Sequence, residues 1–249
     1  MLDGFMRILL LLGAAFLALP THAAAQPRLL DAGRFVVYAG DRVVGTEEFT
    51  IELHTDSLVL FSESKRTARQ GPSEVPVVQR FQVILREIDY ELRDYISELS
   101  AMGMSEKRGV VPADTTITAF REDSRAGGGF TYERPPGRFF VLEQGGFALF
   151  DLMGRNLTRL TFTEREVPLL VLGPADTLTT GKVKRVGKET IRWGQAKVAA
   201  DHLRITDRDA VFDLWMHPQG HMVRLTSPTL GVRVEREPPQ AKSAAGSGG

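Results

Sequence analysis

Hydrophobic positions in this chain alternate far more often than they recur at helical spacing. Between Ala210 and His217, Phe212, Leu214 and Met216 fall on one side at period two, while Val211, Asp213, Trp215 and His217 fall on the other. Pro218, Gln219 and Gly220 follow with turn chemistry, so His202–Thr206, Ala210–His217 and His221–Thr226 read as consecutive antiparallel strands, with Gly231–Glu235 as a fourth.

Similar patterns run through the rest of the chain. Arg34–Ala39 and Val43–Leu53 form a pair around Gly40-Asp41, with Phe49, Ile51 and Leu53 inward and Gly45 at a bulge or close backbone contact. Ser57–Arg66 continues the meander. After a loop at Gly71–Pro76, Val77–Glu87 places Phe81, Val83 and Leu85 inward. Tyr90–Ser100 alternates less cleanly and is assigned as a strand because its neighbours are strands. Thr115–Glu122, Arg138–Glu143, Leu160–Thr163, Val167–Leu172, Thr177–Val186 and Glu189–Val198 complete the set. Asp123–Gly137, with three adjacent glycines and Pro135-Pro136, reads as a loop; it lacks the GxxxxGK[ST] pattern of a phosphate loop.

Helical spacing is clear in Phe147–Leu157, where Phe147, Phe150 and Met153 recur beside Leu149 and Leu152, and Gly154 ends or disturbs the last turn. The expected fold is therefore mainly β: one large curled antiparallel sheet, a half-barrel or incomplete barrel, with one or two short helices. Residues 26–237 read as a single domain.

Composition adds an address. Ile8–Leu19 is an apolar run too short for a membrane span of roughly 20 residues, and Pro20 and Ala23–Ala25 follow it, the layout of a secretory signal peptide cleaved after Ala25. Met6 would make a better initiator than Met1, because Asp3 interrupts a region expected to be positive. Residues 238–249 carry too little apolar content to fold and read as a disordered tail. The chain has no cysteine, which excludes thiol catalysis, thiolate metal sites and lipid attachment through cysteine. The expectation is a soluble periplasmic protein, not a lipoprotein, with no transmembrane segment in the mature chain. Lysine plus arginine and aspartate plus glutamate stand at 31 each, so nucleic acid is not an expected partner.

Few residues suggest catalysis. His217 and His221 would be cross-strand neighbours and would chelate a divalent metal only with a third ligand such as Asp213 or His202. No GxSxG motif is present, and Glu47 and Glu48 lie on opposite strand faces. The Asn156-Leu157-Thr158 sequon reads as unmodified. What remains is an apolar face: Phe81, Val83, Leu85, Phe139, Val141, Phe212, Leu214 and Met216, if they share the concave side of one sheet, line either a packed core or a greasy groove.

The opening stretch Phe35–Glu52 and the closing stretch Val211–Glu237 resemble exported bacterial families of unknown function. These begin with a strand, a turn and a glycine-bearing strand, and end in a W-x-D-x-x-G hairpin followed by an arginine-bearing strand. Gly45, Trp215, Gly220 and Arg224 match; His217 stands where aspartate is usual. The families are similar in architecture to periplasmic lipoprotein carriers, incomplete barrels wrapped around helices. That resemblance, covering less than half of the mature chain, implies an envelope protein holding a lipid or a lipoprotein acyl chain. The expected function is non-enzymatic and without a cofactor: binding an apolar ligand in the concave face, with an envelope assembly module acting through another envelope protein, or a metal-dependent hydrolase using His217 and His221, as alternatives.

Overall fold

The computed structural model describes residues 26–70 and 73–239. The signal-peptide reading and all of the tail reading beyond Pro239 lie outside the described residues. The strands, in chain order, are β1 (Arg28–Ala39), β2 (Arg42–Leu53), β3 (Ser57–Gln70), β4 (Ser73–Arg86), β5 (Leu92–Ala101), β6 (Met104–Pro112), β7 (Thr116–Asp123), β8 (Gly127–Glu133), β9 (Phe140–Glu143), β10 (Glu164–Leu172), β11 (Thr177–Trp193), β12 (Ala196–Asp207), β13 (Ala210–Met216), β14 (Met222–Ser227) and β15 (Val232–Arg236). The one helix among the described residues, α1 (Phe147–Thr158), lies between β9 and β10 in the chain.

All fifteen strands belong to one sheet. From one edge, β8 to β1 follow in reverse chain order, β15 lies against β1, and β14 back to β9 complete the other half. The first and last strands therefore pair in the middle, Phe35 opposite Arg236 and Ala39 opposite Val232. Every pairing is antiparallel except β9 with β10. This is the curled, mainly antiparallel sheet with one short helix that the alternation predicts.

Several local expectations change. Residues 73–76, read as part of a loop, open β4, and residues 189–198, read as one strand, hold the end of β11, a turn and the start of β12, because β11 runs on past Val186 as far as Trp193. Met104–Pro112 is a strand although its alternation is masked, because Glu106 and Arg108 share the inward parity of Val110. Gly127–Glu133 is an edge strand rather than a loop tip: pairing with β7 uses main-chain groups, which glycines supply without any side-chain pattern. Leu160–Thr163 is irregular rather than a strand. It is the exit from α1, and Arg185 donates to the carbonyl of Leu160 there.

The sheet does not close by backbone pairing. Its β9 edge instead tucks against the inner face of β4–β6, where the Glu143 carboxylate accepts from Gln79, Tyr95 and Ser97. Side chains span the seam beyond it: Arg108 of β6 donates to the carbonyl of Gly173 at 2.7 Å, and the Tyr132 hydroxyl of β8 to that of Asp176 at 2.9 Å.

Inside the curl, α1 buries nine of its twelve residues, including Leu149, Phe150, Leu152, Met153 and Leu157. A helix apolar on nearly every side belongs in a core. It packs against inward side chains of both halves of the sheet, Phe35, Leu60, Val83 and Tyr95 from one and Leu169, Leu203, Leu214 and Met216 from the other, in one continuous hydrophobic cluster. Polar links cross the same packing. Asp151 accepts from the Met222 N–H at 2.5 Å and from Arg155, which also pairs with Asp31; Arg236 donates twice to Asp31, at 2.6 and 2.9 Å. Burial tends to raise the Asp31 carboxyl, but the two guanidinium groups outweigh it and hold the carboxyl below its ordinary range.

Replacing Met153, wholly buried at the centre of this packing, by alanine is expected to cost about 2–5 kcal/mol through lost transfer energy and a residual cavity. Urea unfolding should show the loss as a lower midpoint. Phe61→Ala on the outer face, where the ring is already 42% exposed, should move the midpoint far less.

Candidate functional site

Cross-strand register sorts the inner face of β2–β7 into rows. One row runs Glu47, Ser64, Gln79, Leu99, Glu106 and Asp123; the next runs Phe49, Ser62, Phe81, Ser97, Arg108 and Arg121. Further along the same strands the rows become apolar, with Leu60, Val83, Tyr95, Val110 and Ala119. The concave face thus has an oily half and a polar half, and the first turn of α1 meets the polar half.

Glu47 is wholly buried there. Its carboxylate accepts from Ser62 Oγ at 2.5 Å, from the Phe147 N–H at 2.6 Å and from the Ala148 N–H at 3.2 Å. Gly146, at the N-cap, offers no side chain to the opening turn, so a glutamate from a distant strand takes that place. Burial pushes the Glu47 carboxyl up to about 7, against the lowering effect of Ser62, the two amides and nearby Arg66. At the other end of the helix, Arg185 of β11 donates to the carbonyls of Leu157 and Leu160 at 3.3 and 3.0 Å.

Beside Glu47, Arg66 donates to the Gln144 carbonyl at 3.2 Å and to Gln79 Oε1 at 3.0 Å. It reaches them only because residue 145 is glycine: φ is +93°, and a Cβ there would fall inside the guanidinium group. Gln79 passes a hydrogen bond on to Glu143 at 2.8 Å. Burial raises the Glu143 carboxyl above its ordinary range, opposed by Tyr95, Ser97 and Arg108. Arg108 lies 2.6 Å from Glu106, 3.0 Å from Asp176 and 3.8 Å from Glu143, so one buried guanidinium joins β6, β9 and the β10–β11 turn. Two crevices of about 250 and 400 Å³ open outside this network, sharing Arg121 and Asp123; the larger is also lined by Phe130 and Pro174.

All eight residues read from the sequence as a greasy lining do face the concave side, under α1. Phe81, Val83, Leu85, Phe139, Val141, Leu214 and Met216 are buried; Phe212 is half-buried, its ring 4.8 Å from that of Phe150. Val83, Leu85, Phe139 and Val141 share with Leu149, Leu152 and Met153 a cavity of about 30 Å³, the volume of roughly one water molecule.

His217 and His221 are neighbours, as the hairpin predicts: Gly220 has φ +89° and the His217 N–H donates to the His221 carbonyl at 2.7 Å. Their rings stack 4.6 Å apart at an interplanar angle of 8°, against Trp193. A metal sits in the plane of each imidazole that binds it, so parallel stacked rings do not converge on one ion. Burial, aided by Arg236, takes His221 down to about 4. Asp213 and His202, the suggested third ligands, engage each other at 2.7 Å, with Glu189 at 2.7 Å on the other ring nitrogen. Among the described residues no group of three or more histidine or acidic side chains is arranged to hold a metal.

From the sequence, Glu47 figures only as half of a carboxylate pair with Glu48, and Gln79, Glu143, Arg108 and Asp151 escape notice as site residues. Parity carried the signal for three of them: Glu47 shares the face of Phe49 and Ile51, Gln79 that of Phe81, and Arg108 that of Val110. Nothing local marked Glu143, whose place depends on β9 turning inward, or Asp151, which binds a strand 71 residues away.

No family model matches the chain, and no curated protein or solved structure matches it either. Among the described residues no helix is long and apolar enough to cross a membrane.

Replacing Arg108 by alanine should destabilise the fold by about 3–5 kcal/mol, since it leaves the buried Glu143 and Asp176 side chains without their cation. Guanidinium unfolding measures this, and Arg121→Ala, at the exposed rim, provides the comparison with a small effect.

Proposed function

We propose that this chain is a non-enzymatic, exported protein of the cell envelope that acts as an assembly or interaction module through its surface. One observation supports this over a carrier role: the concavity is occupied. The space left under α1, about 30 Å³, falls well short of ligand pockets, which run to roughly 300–1,000 Å³, and the crevices of that size, about 560 and 400 Å³, are more open to solvent. The polar half of the concave face also spends its hydrogen bonds on the protein itself, on α1 and β9. Surface features fit a partner instead. Phe130 is 66% exposed on the unpaired edge strand β8, and Met102 and Met104 stand exposed at the β5–β6 turn.

A second reading keeps the carrier. In it α1 is a plug that a lipid or a lipoprotein acyl chain displaces from the bed of Val83, Leu85, Phe139, Val141, Leu214 and Met216. It is favoured by the way the first turn of α1 is held, by a side chain from β2 rather than by a cap of its own. The metal-dependent hydrolase is not carried forward, because the stacked histidine rings do not converge.

Photo-crosslinking in intact cells from position 102 or 130 is expected to give discrete protein adducts, and organic extraction of the purified chain to yield no bound lipid. About one equivalent of co-purified lipid, without protein adducts, would overturn the module reading in favour of the carrier.

A further inference from the structure

Glu47 differs from the other buried acids of this fold. Asp151 is just as deeply buried but pairs with Arg155, Glu143 lies 3.8 Å from Arg108, and Asp213 lies 2.8 Å from Arg204. Among the described residues Glu47 is the buried carboxyl with no cation within 4 Å. Its neighbours are neutral: the Ser62 hydroxyl from β3 and the first two N–H groups of α1. The charged groups that face it are Arg66, from β3, and beyond the Arg66–Gln79 bridge Glu143, from β9. An ionised carboxylate taken out of water without a counter-ion is expensive, and holding a proton removes the cost. Nor does the proton break the contact. A neutral carboxyl donates to Ser62 Oγ, 2.5 Å away, and still accepts from Phe147 and Ala148.

From this arrangement we infer that Glu47 is a proton-controlled clasp on α1: a neutral carboxyl seats the first turn of the helix against β2, and loss of its proton loosens that turn. The inference goes beyond the proposed function and holds whether α1 is a permanent filling or a displaceable plug.

The sign follows from linkage. The Glu47 carboxyl binds its proton more tightly when α1 is seated, with a pKa of about 7 against an ordinary 4.5. Its stabilising contribution is therefore complete below about pH 4.5 and is lost as pH rises through about 7. Over that window the seated-to-released ratio falls roughly tenfold per pH unit.

Hydrogen exchange read by mass spectrometry on the peptide spanning Phe147–Thr158, corrected for intrinsic exchange rates, tests this in the full-length mature chain. From pH 5 to pH 7 wild-type protection should drop on the order of tens of fold. In Glu47→Gln, which mimics the neutral acid, it should stay level and exceed wild type at pH 8. Parallel wild-type and variant profiles would overturn the clasp. A carbon-13 titration of the wild-type Glu47 carboxyl supplies a check that needs no variant: a group already ionised at pH 5 refutes the inference, and a midpoint near 7 supports it.

Discussion

A helix enclosed by a sheet has an electrostatic problem that a surface helix lacks. Four N–H groups at its start and four carbonyls at its end need partners, and water is not available to supply them. Here the sheet answers with a side chain at each end: the Glu47 carboxyl accepts at the amide end and the Arg185 guanidinium donates at the carbonyl end. The Arg185 guanidinium also suits the negative end of the helix dipole that it meets. Because one comes from β2 and the other from β11, on opposite sides of the β1–β15 junction, the pair ties the two halves of the sheet to one helix. The apolar packing around Met153 supplies most of the stabilisation, but these two contacts set which way the helix runs.

The division of the concave face into oily and polar halves follows from the same requirement. Rows containing Leu60, Val83 and Val110 contact the helix body, while rows containing Glu47, Gln79 and Arg108 lie where main-chain groups and the inward-turned β9 must be satisfied. A wholly apolar interior would leave the opening turn of α1 and the Gln144 carbonyl without partners. The buried acids and arginines thus stand where irregular backbone enters the core.

How much of this the sequence disclosed depends on the range of each interaction. Alternation over two residues revealed most of the strands and the inward sets Phe81–Leu85 and Phe212–Met216, and helical spacing revealed the helix at Phe147, because those patterns arise within one element. The hairpin at Pro218–Gly220 was legible for the same reason. Where inward positions are polar, as at Glu106 and Arg108, or carry no side chain, as at Gly127–Gly129, the pattern is silent although the pairing is sound. Whether the concavity stands open could not be read at all. That depends on one short helix packed inside the curl, where twelve residues fill the space that a count of apolar strand faces suggests is too wide for them.

The pairing of the first strand with the last has a kinetic side. Within each half, most contacts join neighbouring hairpins and form soon after the segment is made. The junction of β1 with β15 must wait for the final residues, across a separation of about the whole folded chain. Contacts so distant in sequence slow folding, since loop closure comes before any reward. A ribosome would release nearly all of this protein as two unjoined ribbons with α1 still uncovered.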